Sequence, residues 1–183
     1  MEEVNVDNSS LFNEIGDGQV YPHNEKWYSH LLDQYKIYIE MADRISSRRA
    51  AANSYFLSVN SAMLAFVGYL SSKDAGAFLW LLAVAGIALC ILWKALITSY
   101  RNLNTAKFLV IHKIEKRLPI SPYDAEWEAM GRGIDPKLYR PISHIEQGVP
   151  HVFLALHIFV LGKSFPWMDT AEFVKTVFAL IKS

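Results

Sequence analysis

The chain has 183 residues, a formal net charge of zero and 52% hydrophobic residues. Zero net charge removes the global basic field on which nucleic-acid binding relies. The single cysteine, Cys90, excludes an intramolecular disulfide and a cysteine-based zinc site. One domain's length of chain, with a strongly apolar middle between polar flanks, points to a membrane protein.

Residues 1–23 read as a flexible, acidic arm. Asn8, Ser9, Ser10, Gly16, Asp17, Gly18 and Pro22 are turn formers, and Leu11, Phe12 and Ile15 make one short docking turn. The arm lacks the basic start and apolar core of a signal peptide, so the first span is expected to act as its own insertion signal.

Residues 24–118 read as a long-helix hairpin. Asn24 is a helix cap, with Glu25 in the favourable first turn. Tyr28, Leu31, Tyr35, Tyr38, Ala42 and Ile45 recur at alternating spacings of three and four, a heptad seam facing either another helix of the same subunit or a neighbouring subunit. No proline or glycine falls between Asn24 and Phe66, so one continuous helix is expected to run from the cytoplasm into the membrane.

Between Arg49 and Lys73 lie 23 uncharged positions, and between Asp74 and Lys94 lie 19. A helix needs roughly 20 apolar residues to cross a bilayer core. Two spans are therefore expected, at about 50–70 and 75–93, joined by a short turn over 71–76. On the first span Ser54, Ser58, Ser61, Ala65 and Gly68 share one face, while Phe56, Val59, Met63, Phe66 and Leu70 lie opposite. Small residues permit close helix approach in lipid, so the small face is expected to pack on another helix and the bulky face to meet lipid. Asn53 and Asn60 form a narrower polar line, read either as interhelical hydrogen bonding or as the lining of a passage in an oligomer. On the second span Gly76, Ala83, Gly86 and Cys90 share a face expected to dock on the small face of the first. Trp80 and Trp93 are the expected interfacial anchors. Arg44, Arg48 and Arg49 flank one span and Lys94, Arg101 and Lys107 the other, which places both termini in the cytoplasm by the positive-inside rule.

The second helix is expected to continue to about Leu118, with Tyr100, Leu103, Lys107, Val110 and Ile114 as its stripe, and to stop at Pro119 and Pro122. Residues 119–183 read as a cytoplasmic helical region. Asp124 to Met130 gives a helical turn or two around Trp127. Val149 to Leu161 is an apolar run of 13 residues, short of a span and read as a buried or interfacial helix, with Pro150 in its first turn. His151 and His157 fit a packed cytoplasmic layer. Thr170 to Lys182 is amphipathic, with Trp167 ahead of it.

Catalytic patterns are weak. His144, Glu146 and His151 are near one another in sequence but match no H-E-x-x-H pattern, so they are at most weak metal candidates. His112 and Glu115 stand three apart on a helix and read as solvated or paired. No glycine loop suits a phosphate, no G-x-S-x-G elbow is present, and the two spans hold no acid or base for a charged transport relay. No cofactor is expected.

The run Tyr35 to Arg49, leading into Asn53-Ser54-Tyr55-Phe56, together with Trp93, Ser99 to Phe108, Glu115, Leu118-Pro119 and Glu126-Trp127, resembles the RipA family of octameric membrane proteins over roughly residues 30–160. That family is similar in turn to SLATT-type two-helix effectors of bacterial defence. The resemblance implies a homo-oligomer of the bacterial inner membrane, of eight subunits, contacting lipid and itself, with an indirect link to stress or host adaptation. The expectation is therefore an all-α, two-pass transmembrane hairpin with long cytoplasmic helical extensions and a C-terminal helical segment. Its function is expected to be non-enzymatic, as a pore-like or scaffold assembly. The competing expectation is a membrane-anchored ligand or pH sensor, or a metal-dependent enzyme using the cytoplasmic half.

Overall fold

The computed structural model describes residues 11–12, 25–73, 79–134, 137–138 and 142–165. Most of the N-terminal arm, Gly76, Trp167 and the amphipathic stretch from Thr170 lie outside the described residues. Among those described there are four α-helices, one 3-10 turn and no strand. The helices are α1 (Glu25–Ser71), α2 (Leu79–Glu115), α3 (Pro122–Ala129) and α4 (Ile142–Ser164).

Three of them, α1, α2 and α4, are long and apolar enough to cross a membrane. At 1.5 Å per residue the 47 residues of α1 extend about 70 Å, more than twice a bilayer's hydrocarbon thickness. Helix α2 stops at Glu115, a little before the expected Leu118, in a turn closed by Arg117 N–H on the Ile114 carbonyl at 2.9 Å. The third apolar run departs from expectation. It belongs to a 23-residue helix that begins at Ile142, so Pro150 lies inside the helix and not in its first turn. The apolar run underestimated this element because polar residues, Glu146 and Gln147 among them, continue the helix ahead of it.

The chain divides into two compact units. The first comprises the described residues of Met1–Ser54 and Ala95–Gln147. Its core joins Leu31, Tyr35 and Ala42 of α1 to Ile111 and Ile114 of α2. The heptad seam thus packs within one subunit. Leu31, Tyr35, Ala42 and Ile45 are buried, whereas Tyr28 at the end of the seam is exposed. The matching stripe on α2 holds in part: Lys107 and Ile114 are buried and Val110 packs against the core. Leu103 faces outward, while Lys107 is buried with its ammonium over the Tyr38 ring at 4.3 Å. Leu11 and Phe12 pack against this core, and the Arg117 guanidinium lies 3.5 Å from the Phe12 ring centre.

The second unit comprises the described residues of Tyr55–Lys94 and Gly148–Ser183. Here α1 turns its small face outward, and of the bulky face Phe56 is buried while Phe66 is exposed. Ser54 in the first unit and Ser58, Ser61, Ala65 and Gly68 in this one are all exposed, and a Cβ at Gly68 would meet nothing within 4 Å. Phe56, Asn60 and Val67 are buried instead. The physical reason is polar satisfaction. A side-chain amide in hydrocarbon needs partners more than a phenyl ring needs lipid, so Asn60 sets which face turns inward. Phe56 turns in with it, stacked on Trp93 with ring centres 5.9 Å apart. Trp93 is therefore an interior residue and not an interfacial anchor, and Phe153 of α4 lies on it at 6.0 Å. Trp80 meets Phe165 edge-on at 6.0 Å.

Candidate functional site

Each unit buries one polar cluster. In the first, Glu115 ends α2 and has no solvent exposure. Its Oε1 accepts from the Tyr35 hydroxyl at 2.7 Å and from the Tyr123 N–H at 3.0 Å, and its Oε2 accepts from the Asp124 N–H at 3.2 Å. The last two donors are the first free N–H groups of α3. Pro122 has no N–H to offer, and the residue at the cap position, Ser121, makes no side-chain cap bond. Glu115 thus acts as the N-terminal anion of α3 from seven residues ahead of its first residue. Burial, and then the neighbouring Glu115 carboxylate, pushes the Tyr35 phenol well above the ordinary tyrosine range.

Around this anchor, Asp124 lies 3.3 Å from Arg132 and 3.9 Å from His112. Arg132 sits between Gly131 and Gly133 in a left-handed turn, and a Cβ on Gly133 would come within 2.9 Å of the Trp127 ring. His112 is half-buried and close to a carboxylate, as expected. Glu115 is instead entirely internal, and nothing local marked it, since its partners come from 80 residues upstream and from a helix start that it caps without being the preceding residue.

In the second unit Asn60 is fully buried at the middle of the first apolar stretch. Its Nδ2 donates to the Phe56 carbonyl at 2.8 Å. A carbonyl can only accept, so the amide orientation is set and Oδ1 faces the other two helices. There it accepts from the Cys90 thiol at 3.3 Å and lies 3.1 Å from His157 Nε2. For that last contact to be a hydrogen bond, Nε2 carries the imidazole proton. His157 is fully buried and its Nδ1 has no partner. Gly86 of α2 makes the approach possible, because any Cβ there would occupy the imidazole ring.

The predicted residues therefore divide. Ala83, Gly86 and Cys90 do line the inner face of α2, but they turn toward the Asn60 side of α1 and the His157 side of α4, not toward the small face of α1. Asn60 takes the interhelical role and directs none of its polar atoms outward. Asn53 is half-buried. Of the weak metal candidates, Glu146 is drawn to Arg49 at 3.4 Å with both side chains mostly buried, and His151 faces outward. Among the described residues no group of three or more histidine, cysteine and acidic side chains is placed to hold a metal ion. His157 was missed as a member of the cluster. Its signal was the inner stripe Pro150, Phe153, His157 and Val160, spaced three and four apart.

No curated protein and no solved structure matches the chain. A model of the octameric membrane protein family matches residues 32–166, well over half of the length and including all of α2 and α3 and both polar clusters. The chain belongs to the octameric membrane protein family.

Proposed function

We propose that the protein is a non-catalytic, homo-oligomeric assembly of the bacterial inner membrane, built through the outward small-residue face of α1. The observation that carries this reading is the exposure of Ser54, Ser58, Ser61, Ala65 and Gly68 in a chain whose family is octameric. Within lipid, helices associate through close backbone approach, and a face of serine, alanine and glycine is suited to it. Inside the subunit α1 meets its neighbours through Phe56 and Asn60, and a Cβ at Gly68 has open space around it. The arginines and lysines flanking the hairpin support a cytoplasmic N-terminus and cytoplasmic lower halves of α1 and α2. The assembly is a scaffold, with the first unit presented on the cytoplasmic side. A pore-like form of the same assembly draws on the serines that α1 turns outward at membrane depth.

Substitution of Gly68 tests the interface directly. A Cβ at Gly68 meets nothing within 4 Å among the described residues. Gly68→Leu is therefore expected to leave the subunit folded while the octamer gives way to smaller species, read by mass measurement in mild detergent, and Ser61→Leu is expected to act in the same direction. An unchanged octamer in both variants would overturn the interface, and a monomeric parent protein would overturn the assembly. Ion leakage from proteoliposomes that responds to Ser61→Leu would favour the pore-like form.

A further inference from the structure

We propose that α4 is a third membrane crossing, and that its outward face, carrying Val152, Leu156, Ile158 and Phe159, is a surface for lipid acyl chains. The proposal rests on the membrane reading of the α1–α2 hairpin and extends it to the C-terminal part of the chain.

Three contacts place α4 along the second span. Phe153 lies on Trp93, His157 lies over Gly86 and against Asn60, and Phe165 meets Trp80. Trp93 and Trp80 stand at opposite ends of the apolar part of α2. As the α4 numbers rise the α2 numbers fall, so the two helices are antiparallel and α4 follows α2 from one end of the span to the other. An interfacial helix lying flat would touch one level of the hairpin. This one touches its beginning, middle and end.

Charge placement agrees. The last charged residue of α1 before its apolar stretch is Arg49, and the last of α4 before its own is Glu146. The two are paired at 3.4 Å. No further charge occurs on α4 until Lys163. The intervening 16 residues rise about 24 Å, a little under the roughly 27–30 Å of a bilayer core. Lys163 can extend its ammonium past the hydrocarbon edge while its stem stays in it.

The occupant of the outward face follows from continuity. Val152, Leu156, Ile158 and Phe159 are exposed, as are Leu57 and Phe66 on α1 and Leu81, Val84, Ile91 and Leu92 on α2. On the hairpin such residues are what a lipid-facing helix carries. The same composition on a helix running beside it has the same solvent, with His157 turned inward and the exposed His151 near the Glu146 end of the stretch, within reach of the polar edge.

The test uses the full-length protein in a Cys90→Ala background, with single cysteines introduced by Ser72→Cys, Lys116→Cys and Ser164→Cys. A membrane-impermeant maleimide is applied to intact cells and then to opened membranes. Ser164→Cys is expected to react from the same side as Ser72→Cys and from the side opposite to Lys116→Cys. Reaction of Ser164→Cys from the Lys116 side overturns the third crossing while the hairpin stands. If Ser72→Cys and Lys116→Cys share a side, the hairpin itself fails. A spin label on Phe159→Cys in proteoliposomes gives a readout that does not depend on the side from which a thiol reacts. It is expected to be accessible to oxygen and shielded from a water-soluble metal chelate, and free access of the chelate overturns the proposal.

Discussion

The two buried polar clusters solve the same problem with unequal completeness. Glu115 brings a full charge into the first unit and meets three donors, two of them at a helix N-terminus. Asn60 brings only a neutral amide into the second, bonds it through both Nδ2 and Oδ1, and leaves its partner His157 with a bare Nδ1. The difference is one of environment. Beside water, a carboxylate is tolerable inside if its lone pairs are filled. The second cluster is assembled from an amide, a thiol and an imidazole, with no carboxylate or ammonium among its members. A charged anchor therefore secures α3 and a neutral one secures α4.

Removing the charged anchor is expected to have the largest effect. Glu115→Ala strands the Tyr35 hydroxyl and two N–H groups of α3. Bonds to charged groups contribute about 1.5–3 kcal/mol each, so a loss of about 3 kcal/mol or more is expected, with rapid proteolysis within residues 122–129 of the purified protein. Retention of the parent melting temperature would show that α3 does not depend on Glu115.

Asn60→Leu tests the neutral anchor. The variant removes three hydrogen bonds at once and leaves His157 Nε2 without an acceptor. Membrane hydrogen bonds measure about 0.6 kcal/mol on average and up to about 1.7, so a loss of about 2 kcal/mol is expected in a steric-trap or detergent unfolding measurement. A loss equal to that of Glu115→Ala would erase the distinction between the clusters.

The smallest effect concerns pH. The Tyr35 phenol titrates higher folded than unfolded. Below the ordinary tyrosine value of about 10, both states are protonated and the bond to Glu115 contributes fully. Above it, the unfolded chain loses its proton first, so stability falls as pH rises. Tyr35→Phe is expected to lose about 1 kcal/mol at neutral pH and to flatten the alkaline decline, as read from melts between about pH 8 and pH 11. An unchanged slope would place the alkaline sensitivity elsewhere.

Helix content was legible because it depends on local pattern. The proline-free run from Asn24 gave α1, Pro119 and Pro122 bounded α2, and the uncharged gaps gave its apolar lengths. Helix rotation was not legible in the same way. The small face of α1 and the Asn60 face are both plausible inner faces by composition, and the choice is made by Cys90 and His157, 30 and 97 residues away. The same holds for Glu115, whose role depends on Tyr35 arriving from another helix. The apolar run alone also missed the start of α4, since helix formation there precedes it.

The Asn60 cluster also imposes an order of synthesis. The hairpin leaves the ribosome with Asn60 and Cys90 already present, but the imidazole that completes the cluster is encoded 67 residues after the thiol. Until α4 arrives, the Asn60 carbonyl has only a weak sulfur donor, and the backbone of Gly86 lacks the ring that packs on it. The newborn hairpin therefore carries this cluster incomplete until the C-terminal third of the chain is made.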